Sequence, residues 1–155
     1  QYLITLTTIQ TSTVLTELSL WGNVLSDSVV VSLAEALENN KFLVRVMLRD
    51  NDIGDKGACV LAGGDRLENS RRPFKTLSLK FGLLFFSFSF RFGLPDCLKR
   101  IATVQLLDLS ENHSISNVSA KALTEALKVN KTLRYLSLGS CGIGHEGAVE
   151  FAMAL

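Results

Sequence analysis

The chain has 155 residues, 47% of them apolar and 20% charged, which is material for one sizeable core rather than a disordered tail. Sixteen Lys and Arg against fifteen Asp and Glu leave a net charge of +1, so no global field draws the chain to nucleic acid or an anionic membrane. Its three cysteines, Cys59, Cys97 and Cys141, form neither a C-x-x-C metal pair nor an even-numbered disulfide framework, and a reduced, cytoplasmic setting without a metal is expected.

Residues 1–14 are expected to be the end of a preceding repeat, because Ile9 stands as far before Leu15 as Leu37 stands before Leu43. Their Thr and Ile content favours strand over helix. The first full unit opens LTELSLWGN, with Leu15, Leu18, Leu20 and Asn23, and continues to Leu25. Alternation across Leu18 and Leu20 predicts a short strand with one buried face. Ser26 and Asp27 then offer a helix N-cap, and Val29, Leu33, Ala36 and Leu37 recur at helical spacing until ENNK.

The second unit opens at Leu43 with LVRVMLRDN, carrying Val46, Leu48 and Asn51. Ile53 follows, Asp55 can cap, and Gly57, Ala58, Leu61 and Ala62 predict a helix with a small-sided face. The return passage GGDRLENSRRP is a looser loop by its Gly, Arg and Pro content. A third unit opens at Phe74 with FKTLSLKFG, but Gly82 stands where asparagine is expected.

From Phe81 to Leu94 the pattern departs from its siblings, holding six of the nine phenylalanines in place of a half-polar helix. Phe86, Phe88, Phe90 and Phe92 alternate as in a strand, while Phe81, Phe85, Phe88 and Phe92 also fit a helix face, so periodicity does not decide. The stretch is too short, and too interrupted by Arg91, to span a membrane as a helix. A buried or distorted helix of the stack is favoured over a membrane-touching or partner-docking patch, and an erroneous gene prediction would also account for it.

The fourth unit, opening at Val104 with VQLLDLSENHSI, is the clearest copy: Val104, Leu107, Leu109 and Asn112 are in place, with Ile115 one residue late. Ser116 or Asn117 can cap a helix carrying Ala120, Leu123, Ala126 and Leu127. The fifth opens at Leu133 with LRYLSLGSC, and Cys141 takes the asparagine position as a weaker donor. Ile143, Gly147, Ala148 and Phe151 continue it. The chain begins at Gln1 without a basic and apolar leader and stops at Leu155 inside an apolar pattern, so a fragment of a longer protein is expected.

Units opening at Leu15, Leu43, Phe74, Val104 and Leu133, which follow the phrase L-x-x-L-x-L-x-x-N/C-x-L apart from Gly82 in the third and the late Ile115 in the fourth, resemble leucine-rich repeats. Each unit has one apolar strand face and one apolar helix stripe that it cannot bury alone, so stacking is required. Gly57, Ser119 and Gly147 occupy matching points where a small side chain allows a neighbouring helix to approach. The expected fold is an α/β solenoid, a curved horseshoe segment with an inner parallel sheet and outer helices. Unit length, the helix in each unit, and strings such as NDIGDKGA and SLAEALENNK are similar to the ribonuclease-inhibitor-like class, which includes sensor regions of NOD-like receptors, ribonuclease inhibitor and the Ran GTPase-activating proteins.

That resemblance implies a concave strand face on which the residues between the strand leucines point outward. By position these are Glu17, Ser19 and Trp21; Arg45, Met47 and Arg49; Thr76, Ser78 and Lys80; Leu106, Asp108 and Ser110; and Tyr135, Ser137 and Gly139. Glu17, Trp21, Arg45, Met47, Arg49, Lys80, Asp108 and Tyr135 are the candidate partner-binding residues, since aromatic and arginine side chains dominate protein interfaces. The implied role is a non-enzymatic protein-binding module, foremost the sensing region of a NOD-like-receptor-type protein. Its alternatives are a small-GTPase regulator and a purely structural repeat fragment. Cofactor, metal and nucleic acid are not expected, and a protein is the expected partner.

Other signals are weaker. Cys141 and His145 lie at nucleophile-and-base spacing, but the repeat explains Cys141 and no third group orients the pair. His113 reads as a turn residue. The sequons at Asn112, Asn117 and Asn130 fall on turn and cap positions, with Asn112 turned inward.

Overall fold

In the computed structural model the described residues are 2–63 and 102–154, with the backbone alone for 2–5. The order is α1 (Tyr2–Thr11), β1 (Glu17–Ser19), α2 (Asp27–Asn39), β2 (Arg45–Met47) and α3 (Asp55–Ala62), then β3 (Leu106–Asp108), α4 (Asn117–Val129), β4 (Tyr135–Ser137) and α5 (His145–Ala154). The strands form one parallel sheet in the order β1-β2-β3-β4, and each helix packs on the next in the same order. The layering is that of an α/β solenoid.

β2 and β3 are hydrogen-bonded neighbours, with Val46 beside Leu107, and α3 packs directly on α4. The unit opening at Val104 therefore stacks on the unit opening at Leu43. The expected unit from Phe74, including Lys80 and the Phe81 to Leu94 stretch, lies outside the described residues.

The core sits between the two layers. Leu43, Val46, Leu48 and Ile53 of one unit, and Val104, Leu107, Leu109 and Ile115 of the next, are each no more than 2% exposed. Burying one such side chain is worth about 1.5–3 kcal/mol. The same positions at the two ends, Leu15 and Leu20 or Leu136 and Leu138, are only half-buried, because a neighbour covers them on one side alone.

Two local expectations are corrected. Residues 2–11 form a helix, not a strand. The β-branched content lowers helix propensity by a few tenths of a kcal/mol per residue, and packing of Leu6 and Ile9 on the core outweighs it. On α2 the inward residue is Val30, with Val29 half-buried.

The asparagines act as expected, but across units as well as within them. Asn112 is fully buried; its Nδ2 donates to Leu48 O of the preceding unit at 3.0 Å and to Leu109 O and Ser110 O of its own turn at 2.9 and 3.2 Å. Its Oδ1 accepts from Ile53 N at 3.1 Å. Asn51 repeats the pattern, donating to Leu20 O at 3.0 Å and accepting from Leu25 N at 3.1 Å. Cys141 keeps only the donor half, from Sγ to Leu109 O at 3.3 Å.

The residue before each of these positions is left-handed: Gly22, Asp50, Glu111 and Ser140 have φ of 66°, 54°, 58° and 58°. Only the first is the glycine that such a backbone favours. A second polar joint sits at the helix ends. Asn40 Oδ1 accepts from Phe42 N and Leu43 N at 2.8 and 2.7 Å, while its Nδ2 donates back to Ile9 O and Ser12 O. Asn130 Oδ1 likewise accepts from Thr132 N and Leu133 N, both at 2.7 Å.

The helix starts are also bonded across units. Of the expected cap residues Ser26 and Ser116 hold the N-cap positions, and Ser116 Oγ accepts from Val118 N at 3.3 Å; Asp55 does not cap its own helix as expected, since Gly54 holds that position and Asp27, Asp55 and Asn117 are each the first helical residue. Instead Asp27 Oδ1 accepts from Gly54 N and Gly57 N at 2.8 and 3.0 Å, and Asn117 Oδ1 accepts from Gly144 N and Gly147 N at 2.8 and 3.2 Å. Asp55 accepts from Ser116 N at 2.8 Å and from the hydroxyls of Ser116 and Ser119. A Cβ on Gly57 would lie 2.7 Å from Asp27 Oδ1, and one on Gly147 would lie 2.8 Å from Asn117 Oδ1 and 3.0 Å from Ala120 Cβ of the neighbouring helix. The small residues are thus required by the cap from the preceding unit as well as by helix approach.

Replacing Asn112 with Ala orphans buried backbone groups that cost about 1–3 kcal/mol each. Asn112→Ala is expected to lower the urea-unfolding free energy by about 3 kcal/mol, against under about 1 kcal/mol for Asn23→Ala, whose amide bonds only its own exposed turn. Burial alone raises the Asp55 carboxyl pKa, but the hydrogen bonds from Ser116 and Ser119 outweigh it and hold the group below its ordinary 3.8. A depressed folded-state pKa gives stability that is complete above pH of about 4 and falls as pH drops through the folded value. Urea titrations over pH 5 to 2 are expected to show that acid loss, reduced in Asp55→Asn.

Candidate functional site

The sheet aligns its outward residues in rows across units. Glu17, Arg45, Leu106 and Tyr135 lie in one row, and Ser19, Met47, Asp108 and Ser137 in the next. The register continues past the strands, since Gly22 N donates to Arg49 O, Asp50 N to Ser110 O and Glu111 N to Gly139 O. A third row is therefore Trp21, Arg49, Ser110 and Gly139. Side chains alternate about the pleat, so these rows face away from the leucines beneath.

Of the candidate residues, Trp21, Arg49 and one residue absent from the sequence-based set form a contact cluster. The Arg49 guanidinium lies 5.3 Å from the centre of the Trp21 ring, and its Nη2 donates to Glu111 Oε1 at 2.6 Å. Glu111 was missed because it is the left-handed turn residue, outside the strand phrase; its charge three units along from Trp21 was the only available signal. Arg49 Nε is buried and donates no hydrogen bond among the described residues. Trp21 stays 60% exposed, so the arginine stacks against the ring without covering it.

Glu17 and Arg45, side by side in register, form an ion pair at 3.0 Å with both side chains about half exposed. Such a pair contributes at most about 1 kcal/mol. Tyr135 is exposed at the far end of the first row, and Met47 is half-buried between Ser19 and Asp108. Asp108 is less available than expected. Its Oδ1 accepts from Ser110 N at 3.0 Å and Ser110 Oγ at 2.6 Å, and Ser110 itself is buried. Lys80 lies outside the described residues.

Elsewhere the side chains serve the scaffold. Burial pushes the Cys141 thiol above its ordinary pKa, and burial together with the Asp55 charge does the same for Cys59, so neither is primed as a nucleophile. His113 lies in a turn with Nδ1 2.8 Å from Ser140 O. All three sequon asparagines, Asn112, Asn117 and Asn130, are engaged in backbone hydrogen bonds. Among the described residues no helix is long and apolar enough to cross a membrane, and no group of three His, Cys, Asp or Glu is placed to hold a metal ion.

A family model described as Leucine Rich repeat matches residues 39–62 and 129–152, the two segments that run from a helix end through strand and turn into the next helix. The architecture is a leucine-rich-repeat fold. The solved structure named "Leiomodin-1 Actin-Binding Site 2 (ABS2)" is similar with a TM-score of 0.69 at 20% identity, over 96% of this chain and 69% of that one. No curated protein sequence matches the chain. In this leucine-rich-repeat frame the three outward rows are the strand face, and the helix starts bonded across units lie beyond the turns.

The single tryptophan reports on the cluster. Removing the guanidinium in Arg49→Ala is expected to raise acrylamide quenching of Trp21 while lowering stability by no more than about 1 kcal/mol, the scale of an exposed cation–π contact. Unchanged quenching would mean the contact does not persist in solution.

Proposed function

We propose that this leucine-rich-repeat segment is a protein-binding module that captures its partner on the strand face. The observation that carries the reading is the Trp21, Arg49 and Glu111 cluster. An aromatic ring and a guanidinium lie against each other just past the ends of β1 and β2, with the guanidinium also held by Glu111, which reduces the entropy lost when a partner covers them. The Glu17 and Arg45 pair and the exposed Tyr135 extend that surface across the sheet. The nearly balanced charge supports a protein partner over nucleic acid. Within the ribonuclease-inhibitor-like resemblance, the finer assignment is the sensing region of a NOD-like-receptor-type protein.

A second reading is favoured by the similarity to the leiomodin-1 structure, whose name describes an actin-binding site. Under it, actin is the partner and the same strand face is used.

Actin co-sedimentation tests both together with charge-reversal variants. The double variant Arg45→Glu/Arg49→Glu is expected to weaken capture by at least about tenfold, while Lys121→Glu/Lys128→Glu on the outer helix leaves it unchanged. Absence of actin binding removes the second reading alone. For any protein partner, equal weakening by both double variants would sink the strand-face reading.

A further inference from the structure

The nearly balanced net charge hides a segregation across the solenoid. On the edge where strands turn into helices, Asp50, Asp52 and Glu146 are exposed and Glu111 is half-buried, against the exposed Lys56. On the opposite edge, where one helix ends and the next strand begins, Lys41, Lys128, Lys131 and Arg134 are all exposed. The described acids beside them are Glu38, which is half-buried, and Glu125, whose carboxylate pairs with Lys128 at 2.6 Å. An anionic surface is therefore attracted by the helix-end edge and repelled by the turn edge.

The same loop builds that edge twice. Asn40 Oδ1 ties down the N–H groups of Phe42 and Leu43 as Asn130 Oδ1 ties down those of Thr132 and Leu133, so Lys41 and Lys131 hold matching positions at the entries to β2 and β4. Lys41 Nζ donates to Glu38 O and Lys131 Nζ to Lys128 O, each at 3.1 Å, which holds both ammonium groups over helix C-termini where the dipole favours them. Two apolar side chains lie among these lysines, and the scaffold requires neither. Phe42 is 45% exposed at the position that Thr132 takes in the matching loop, and Val129 is 57% exposed at the position that Asn39 takes on α2.

We propose that this helix-end edge docks on an anionic lipid surface. Lys41, Lys128, Lys131 and Arg134 meet the negative headgroups, while Phe42 and Val129 enter the boundary between headgroups and acyl chains. Charge complementarity selects an anionic surface over a neutral one. The exposed apolar side chains select lipid over a soluble acidic segment, which matches the lysines alone. Docking by this edge leaves the outward rows of the sheet free for a protein partner.

The test is co-sedimentation of the full chain with vesicles of phosphatidylcholine alone or with about one third phosphatidylserine. Binding is expected only with phosphatidylserine, and it should weaken as salt is raised. Lys41→Gln/Lys131→Gln, which keeps an N–H donor for each helix end while removing the charge, should weaken binding about tenfold with an unchanged urea midpoint. Lys56→Gln/Lys121→Gln removes the same charge elsewhere and should cost under about threefold. Phe42→Thr, which installs the residue of the matching loop, should weaken binding by about threefold or more, and the loss should persist at every salt concentration that permits binding. Absence of phosphatidylserine-dependent binding, equal losses in the two lysine variants, or indifference to Phe42→Thr would each overturn the proposal. Capture of soluble polyglutamate more tightly than of the vesicles would overturn it in favour of an acidic protein.

Discussion

The joint between successive turns is the constraint on which the structure depends. Short parallel strands that turn sharply into an inward-facing loop leave backbone carbonyls and N–H groups pointing into a dry stack, where each orphan costs 1 kcal/mol or more. One buried asparagine answers several at once. Asn112 donates within its own turn and across to Leu48 O, and accepts from Ile53 N, so one side chain closes its turn and locks it to the preceding one. Because the bond crosses the joint, the spacing of units is fixed by hydrogen bonds as well as by leucine volume.

The same logic recurs at both ends of the helix layer. Asn40 ties a helix end to the preceding unit's Ile9 and Ser12 carbonyls. Asp27, Asp55 and Asn117 tie each helix start to the next, supplying negative or partly negative oxygen where the helix dipole is positive. Each cap needs room, which is why Gly57 and Gly147 carry no Cβ, and why Ser119 serves at the third position only by donating its hydroxyl to Asp55. These joints make every inner unit depend on two neighbours, in line with the half-buried leucines at both ends.

The fold was legible because its strongest requirements are written as a period. Leu43, Val46, Leu48 and Asn51, repeated at Val104, Leu107, Leu109 and Asn112, could be read directly as strand, core and joint. What escaped was nonlocal or nonperiodic. Nothing in Asp27 distinguishes a cap for its own helix from a cap for the next, since that depends on where Gly54 comes to lie. The left-handed turn position is Gly, Asp, Glu and Ser in four units, so no residue type marks it. Residues 2–11 carry β-branched side chains and still form a helix, because Ile9 is needed in the core. The direct pairing of β2 with β3 could not be anticipated either, as the Phe74 phrase falls at the expected period.

The outward rows of the strand face were legible in position and less so in chemistry. Register alone placed Glu17 beside Arg45 and Trp21 beside Arg49. It could not show that Asp108 is engaged by Ser110, or that Glu111 reaches back to hold Arg49. These two facts change what the face offers. The Asp108 carboxylate is already bonded to Ser110 N and Oγ within its own turn. Arg49 is different: Glu111 restrains its guanidinium while Trp21 supplies an apolar wall, and the ring stays open to solvent. The asparagine and cap joints meet the backbone's hydrogen-bonding needs inside the stack without using these outward side chains. Among the described outward residues, Trp21 with Arg49 is the place where restraint and exposure coincide.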